Sequence, residues 1–186
     1  MKLNLGCGSK IIDGYKNVDK FDYYKPEIIH DLEITPYPFE ENSVDEILLS
    51  HVLEHIGQDP NVFNNIIKEI YRICKNQAVI DIRVPHPRHD DFISDPTHVR
   101  PITILGLQLY DKELNKKWEE GKFSNTPLAL IHNVNFKILD VIYIVDEKYE
   151  KLLKGKKISE NDIKEYAIKY NNVIKEMKIK WSVIKV

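Results

Sequence analysis

Residues 1–10, MKLNLGCGSK, decide the fold of this chain. Apolar and polar residues alternate up to the first glycine, which predicts a short strand. Gly6 and Gly8 follow at once, and glycines at a strand end allow a sharp turn in which a ligand can approach bare backbone. Asp19 ends the next predicted strand, residues 16–19, where a carboxylate can accept hydrogen bonds from ribose hydroxyls. The pattern indicates a nucleoside-binding site.

Length and composition limit the classes of protein to be considered. The chain has 186 residues and a formal net charge of −2, from 27 basic and 29 acidic side chains. It is long enough for one full core, so we expect a single domain over residues 1–186. The charge gives no electrostatic basis for binding nucleic acid or a membrane, and no apolar stretch is long enough to span one. With two cysteines and no predicted disulfide framework, we expect a cytoplasmic protein.

Strand-like and helix-like segments alternate along the chain, which predicts an α/β fold with a parallel sheet. A capping aspartate followed by proline starts a predicted helix at Asp59, with an apolar face that continues to Ile73. Further helices are predicted near 102–120 and 159–177. The predicted strands lie near residues 1–5, 16–19, 27–30, 43–50, 78–84, 136–145 and 180–186. An irregular loop rich in histidine and aspartate covers 85–101, and a helical insertion covers about 146–178.

Two cofactors fit a glycine turn followed by an acid: a dinucleotide and S-adenosylmethionine. The dinucleotide fingerprint requires a third glycine that packs helix on strand below the pyrophosphate. Ile11 stands at that position, so the fingerprint fails. S-adenosylmethionine has no phosphate and needs only close backbone approach, an acid for the ribose and a contact for the adenine.

The order and spacing of several motifs over residues 1–85 resemble the class I S-adenosylmethionine-dependent methyltransferases, and among them the small type 11-like members. The motifs are Leu3-Asn4-Leu5-Gly6-Cys7-Gly8, Gly14-Tyr15-Lys16-Asn17-Val18-Asp19, Asp31-Leu32, Pro38-Phe39-Glu40-Glu41-Asn42-Ser43-Val44-Asp45 and Ser50-His51-Val52-Leu53-Glu54-His55-Ile56. The resemblance implies a Rossmann-like, seven-stranded mixed sheet, with the last strand antiparallel and helices on both faces. It also implies S-adenosyl-L-methionine as cofactor.

The resemblance assigns the cofactor-binding residues. Leu5, Gly6, Cys7 and Gly8 would line the methionine part, Asp19 would hold the ribose, Asp31 and Leu32 would meet the adenine, and Ser50 and His51 would sit beside the sulfonium. Taken alone, Asp19 is also compatible with capping a turn, and Cys7 with filling space, because no base is placed beside the thiol.

Residues 85–100 carry three histidines, three aspartates and two arginines. One interpretation makes this loop the acceptor pocket and the source of a general base. A second makes His86, His89, Asp90, Asp91 and His98 ligands of a divalent metal, but no spacing matches a specific ligand motif, so no metal ligand is assigned. A third interpretation gives the loop a purely structural role. On the first interpretation the candidate catalytic residues are His51, His86, His89 and Asp91, and the candidate substrate-binding residues are His55, Asp90, His98 and Arg100.

The sequence therefore predicts an enzyme that transfers a methyl group from S-adenosylmethionine to a small-molecule acceptor. Two alternatives stay open: a non-catalytic protein that binds the cofactor or a nucleoside, and a metal-dependent enzyme that uses the loop from His86 to Arg100. The insertion at about 146–178 is compatible with a lid, a partner surface or a homodimer contact.

Overall fold

A computed structural model describes residues 1–185. Seven strands form one sheet in the order β3-β2-β1-β4-β5-β7-β6. The first five in that order run parallel, and β7 is antiparallel to both β5 and β6. The predicted seven-stranded Rossmann-like mixed sheet is therefore confirmed. The strands are β1 Lys2–Leu5, β2 Lys16–Asp19, β3 Ile28–Ile29, β4 Val44–Ser50, β5 Cys74–Pro85, β6 Phe136–Val145 and β7 Ile174–Val183.

The α-helices follow mainly in the second half of the chain. They are α1 Pro60–Ile73, α2 Asp90–Ile93, α3 Ile104–Gln108, α4 Lys112–Glu120, α5 Leu128–Ile131, α6 Glu147–Lys154 and α7 Glu160–Lys169, with short 3₁₀ turns at Asp22–Tyr24 and Leu53–His55. The cap predicted for α1 is present, since the Asp59 side chain accepts a hydrogen bond from Asn61 N. None of the helices in residues 1–185 is both long and apolar enough to cross a lipid bilayer.

The connection between β1 and β2 departs from the predicted alternation of strands and helices. Parallel strands are usually joined through a helix, but the described residues between β1 and β2 form an irregular loop. Two buried asparagines hold this loop. Asn4 Nδ2 donates to Lys10 O at 2.7 Å and to Asn17 Oδ1 at 2.8 Å. Asn17 also binds the backbone N–H and C=O of Ile12. A polar network thus replaces the packing of a crossover helix.

Several predicted boundaries were wrong. Strand β5 begins at Cys74 rather than near Ala78. The predicted helix over 102–120 is divided into α3 and α4, because Thr103 caps the first and Asp111 caps the second. The predicted helix near 159–177 ends at Lys169, and β7 starts at Ile174 rather than near Lys180. Pairing of β7 with both β5 and β6 overrides the helical spacing of its apolar residues. The insertion consequently consists of α6, α7 and the first part of β7.

The core lies on the sheet, and the apolar face of α1 packs into it. A separate small cluster, formed by Ile163, Val173 and Ile174, stabilises α7 and the start of β7. The carboxyl ends of β1, β2, β4 and β5 meet at one edge, which is where open α/β sheets place their ligand sites.

Candidate functional site

A cavity of about 200 Å³ lies at the carboxyl ends of β1, β2 and β4. It brings together residues from four separate motifs. Among the predicted cofactor residues, the cavity is lined by Gly6, Asp19, Asp31, Leu32 and His51. Its other lining residues are Lys20, Phe21, His30, Val52, His55 and Ile56. We call this space the first cavity.

The remaining predicted cofactor residues lie next to the first cavity but do not line it. Leu5 and Cys7 are buried in the core behind the turn. Gly8 contributes its backbone N–H to Asp19. The Ser50 hydroxyl is buried, and it has no hydrogen-bond partner within residues 1–185.

Gly6 shows why the turn requires glycine. Its φ is +65°, in the left-handed region that side chains disfavour. A Cβ atom added there would lie 2.6 Å from Cγ2 of Val52, another residue of the cavity wall. Val52 therefore packs against the bare backbone of Gly6, and any larger residue at this position would displace part of the cavity wall.

Asp19 has two roles in the geometry. Its Oδ2 accepts a hydrogen bond from Gly8 N at 2.8 Å, and its Oδ1 accepts one from Phe21 N at 3.0 Å. The carboxylate thus caps a turn and holds the glycine loop, and it also faces the cavity. Asp31 is similar, because its Oδ1 accepts from Glu33 N at 3.0 Å while the residue lines the cavity.

A second cavity, of about 380 Å³, adjoins the first at His51 and His55. Ionisable side chains make up its lining except for Pro85. The complete set is His51, His55, Pro85, Asp91, Asp95, His98, Lys175 and Glu176. Because charges of both signs surround it, this second cavity suits a polar ligand.

His51 stands between two carboxylates at the boundary of the two cavities. Its Nδ1 lies 3.4 Å from Glu54 Oε1, and its Nε2 lies 3.2 Å from Glu176 Oε2. These carboxylates, Glu54 foremost, raise the pKa of His51 against the opposing effect of burial. The backbone of His51 has a φ of +57°, so its position at the end of β4 is strained.

Some residues of the histidine-rich loop line the second cavity, and others lie outside both cavities. Asp91 and His98 line the second cavity. His86 instead faces an apolar groove beside α7, where desolvation lowers its pKa. His89 is buried; its Nδ1 accepts from Asp91 N to cap α2, and its Nε2 lies 3.3 Å from Asp146 Oδ2. The structure thus gives His86 and His89 positions outside both cavities.

Two predicted substrate residues also lie outside the cavities. Asp90 is exposed in the first turn of α2. The Arg100 guanidinium lies 4.1 Å from the ring centroid of Phe63 and donates to Gly57 O. Arg100 therefore stabilises the segment that precedes α1. The five-residue metal set considered from the sequence is not assembled in one place, since Asp91 and His98 line the second cavity while His86 lines the apolar groove beside α7.

Glu54 was missed by the sequence interpretation. It is fully buried, and one of its carboxylate oxygens lies within 4.8 Å of a ring nitrogen of His55 and of one of His98. The available signal was a carboxylate directly after the apolar pair Val52-Leu53 and directly before a histidine. A buried acid in such a run requires a partner.

One protein-family model matches part of the chain. Residues 12–80, about a third of the chain, match the family model described as a methyltransferase domain. No curated protein matches.

Solved structures match over nearly the whole chain. A SAM-dependent methyltransferase from Archaeoglobus fulgidus is 19% identical, with a TM-score of 0.62 over 97% of this chain and 85% of that one. The 1,6-didemethyltoxoflavin-N1-methyltransferase of Burkholderia thailandensis, solved with S-adenosylhomocysteine, is 11% identical, with a TM-score of 0.51 over 99% and 71%. The [4+2]-cyclase SpnF is 13% identical, with a TM-score of 0.53 over 100% and 75%.

At these identities the structural matches show the fold, and the family model adds a match in sequence. This chain therefore has the fold of the class I S-adenosylmethionine-dependent methyltransferases and, over residues 12–80, the sequence signature of their methyltransferase domain.

Proposed function

We propose that this protein transfers a methyl group from S-adenosylmethionine to a small polar acceptor. The observation that carries the proposal is the junction of the two cavities, which share His51 and His55 as a common wall. A cofactor in the first cavity and an acceptor in the second would meet at this wall. Holding two reactants in a fixed relative orientation supplies most of the catalysis that such a reaction needs.

The residues of the first cavity fit the cofactor. When bound, S-adenosylmethionine supplies an electrophilic methyl group on a sulfonium. Gly6 presents bare backbone beside Val52, Asp19 offers a carboxylate to the ribose, and Asp31 and Leu32 would contact the adenine. Asp19 is already held by Gly8 and Phe21, so its carboxylate is oriented before any ligand arrives.

His51 is our candidate for the proton acceptor. A hydroxyl or amine acceptor loses one proton as it gains the methyl group, and His51 faces the second cavity where that proton is released. Glu54 and Glu176 stabilise the imidazolium form and so strengthen the ring as a base. Asp91 and Lys175 lie on the same wall and would orient polar groups of the acceptor.

The size and lining of the second cavity favour a small molecule. Its volume of about 380 Å³ lies within the range of small-ligand pockets. The net charge of −2 gives no support for a nucleic-acid acceptor. Cys7 and Cys74 are both free thiols, and we propose a cytoplasmic setting on that basis.

A second candidate function is cofactor binding without methyl transfer. The specific observation behind it is that SpnF, a protein with this fold, is named as a cyclase. Calorimetric titration with S-adenosylhomocysteine tests the first cavity, and mass spectrometry of acceptor panels tests turnover. We expect binding at one site and formation of a methylated product. Binding without product for any polar acceptor would favour the second candidate, and absence of binding would contradict both.

A further inference from the structure

We propose that Glu54, His55 and His98 bind one divalent first-row transition-metal ion at the wall between the two cavities. One carboxylate oxygen of Glu54 and one ring nitrogen from each histidine lie within 4.8 Å of one another. Two imidazoles and a carboxylate form a donor set that zinc, iron and manganese share. The three residues come from the 3₁₀ turn after β4 and from the loop after α2.

The Glu54 carboxylate lacks a hydrogen-bond partner among the described residues, and a metal ion would provide a partner for it. The residue is 0% exposed, and neither carboxylate oxygen has a hydrogen-bond partner within residues 1–185. His51 Nδ1 approaches Oε1 at 3.4 Å, but outside hydrogen-bond geometry, so this contact is only an ion pair. Burying a carboxylate without hydrogen bonds is costly. A metal ion would supply the missing partner for one of these oxygens.

His98 is held in the tautomer that binds metals. Its Nδ1 lies 2.7 Å from the carbonyl oxygen of Phe92, and the ring stacks on the Phe92 side chain. A carbonyl only accepts hydrogen bonds, so Nδ1 carries the proton and Nε2 keeps its lone pair. Metal-binding histidines commonly donate their second ring nitrogen to a carbonyl or carboxylate in this way.

His55 is oriented by a similar chain of contacts. Its Nδ1 lies 2.9 Å from the Thr97 hydroxyl, which donates its own proton to Asp95 Oδ1 at 2.6 Å. The hydroxyl can therefore only accept from His55, and Nε2 of His55 keeps its lone pair. Asp95 and Thr97 thus orient His55, and Asp95 Oδ2 also lies 3.8 Å from Nε2 of His98. The two imidazole rings meet edge to face, with centroids 4.5 Å apart.

The position of the site suggests its use. His55 and His98 both line the second cavity, so an ion bound by three protein atoms would present open coordination positions to a ligand there. A bound cation lowers the pKa of a coordinated hydroxyl and fixes its orientation. This use rests on the proposed function and implies an acceptor that coordinates through oxygen. The metal site itself does not depend on it.

Metal binding can be tested without cofactor or acceptor. Chelator-treated protein is titrated with Co²⁺, and binding is followed by visible absorption and by calorimetry with Zn²⁺ in competition. We expect one equivalent to bind. The variants Glu54→Gln and His98→Gln should each lose at least about tenfold in affinity, and Thr97→Val, which removes only the support of His55, about tenfold. Glu120→Gln, at an exposed position, and His132→Gln, at a half-buried one, are matched controls that should bind as the wild type does.

Circular dichroism and titration with S-adenosylhomocysteine on the same variants separate metal loss from misfolding. If Glu54→Gln does not fold, His98→Gln carries the test. No Co²⁺ binding by the wild type, or equal binding by the wild type and His98→Gln, would overturn the metal site. Co²⁺ binding in a protein that binds no S-adenosylhomocysteine would support the metal site while contradicting the proposed function.

Discussion

Asp19 Oδ2 accepts a hydrogen bond from the backbone N–H of Gly8 at 2.8 Å, which ties the end of β2 to the turn after β1. The same carboxylate faces the first cavity. Removal of this side chain therefore acts on the ligand contact and on the shape of the loop together.

We expect Asp19→Ala to weaken binding of S-adenosylhomocysteine by about 1–3 kcal/mol, the usual cost of losing hydrogen bonds to a charged group. Asp19→Asn should lose less, because its amide oxygen can still accept from Gly8 N. Isothermal titration calorimetry measures both. Asp13→Ala, at an exposed position in the same loop, is the control and should bind normally. Equal affinity for wild type and Asp19→Ala would refute the assignment.

Gly6→Ala should weaken cofactor binding by more than backbone strain alone explains. Gly6 and Gly14 both have positive φ, so alanine at either costs about 1–2 kcal/mol of stability. Of these two glycines, only Gly6 has a neighbour that an added Cβ would meet, namely Val52 in the cavity wall. We expect S-adenosylhomocysteine affinity to fall more than about tenfold in Gly6→Ala, equivalent to about 1.4 kcal/mol, because Val52 would have to shift in the cavity wall. Gly14→Ala should retain affinity, and similar losses in both would indicate a general folding defect.

Asn17→Ala should destabilise the fold strongly although it removes no apolar contact. The Asn17 side chain binds Asn4, Ile12 and Glu27, and the residue is fully buried. Leaving these groups unpaired should lower the free energy of unfolding by about 2–3 kcal/mol in chemical denaturation. Asn61→Ala, at an exposed position in α1, should change it by less than about 0.5 kcal/mol. A small effect at Asn17 would show that the β1–β2 loop is held in another way.

The ion pair between Asp45 and Lys75 should contribute its full stability above about pH 4 and progressively less below it. A hydrogen bond from Lys75 Nζ at 2.7 Å, followed by one from the amino terminus, lowers the pKa of Asp45 from 3.8 to about 2. A carboxylate with a lowered pKa in the folded state stabilises the fold above its unfolded pKa, and this contribution is lost as the pH falls toward the folded pKa. The stability difference between wild type and Asp45→Asn should therefore shrink between about pH 4 and pH 2. A difference that is independent of pH would contradict the ion pair.

Both cysteines should resist alkylation in the folded protein. Burial raises the pKa of Cys74 to about 12, and burial with the nearby Asp19 carboxylate raises the pKa of Cys7. Iodoacetamide near pH 8 should modify neither thiol before denaturation and both after it, as mass spectrometry can measure. Rapid modification of Cys7 in the native state would contradict its role as a small buried residue behind the turn.

The first half of the site could be predicted from the sequence because its parts are local. The glycine turn, Asp19 and Asp31 lie within the first 31 residues, and each lies at or just after the end of a predicted strand. The sequence could not show which residues of the loop after β5 belong to the site and which support the scaffold. His89 and His98 look alike in sequence, but Asp146, 57 residues away, pairs with the first, while the second lies beside Glu54.

The sequence by itself determined the α/β class, the nucleoside-type turn and the resemblance to methyltransferases, since these depend on short-range spacing and on residue type. Only the tertiary structure decided that an asparagine network replaces a crossover helix, that β7 begins at Ile174, and that Glu54 meets His55 and His98. These outcomes depend on the packing of segments that are distant along the chain. Burial and charge compensation decide there which of several chemically similar side chains faces a cavity and which supports the scaffold.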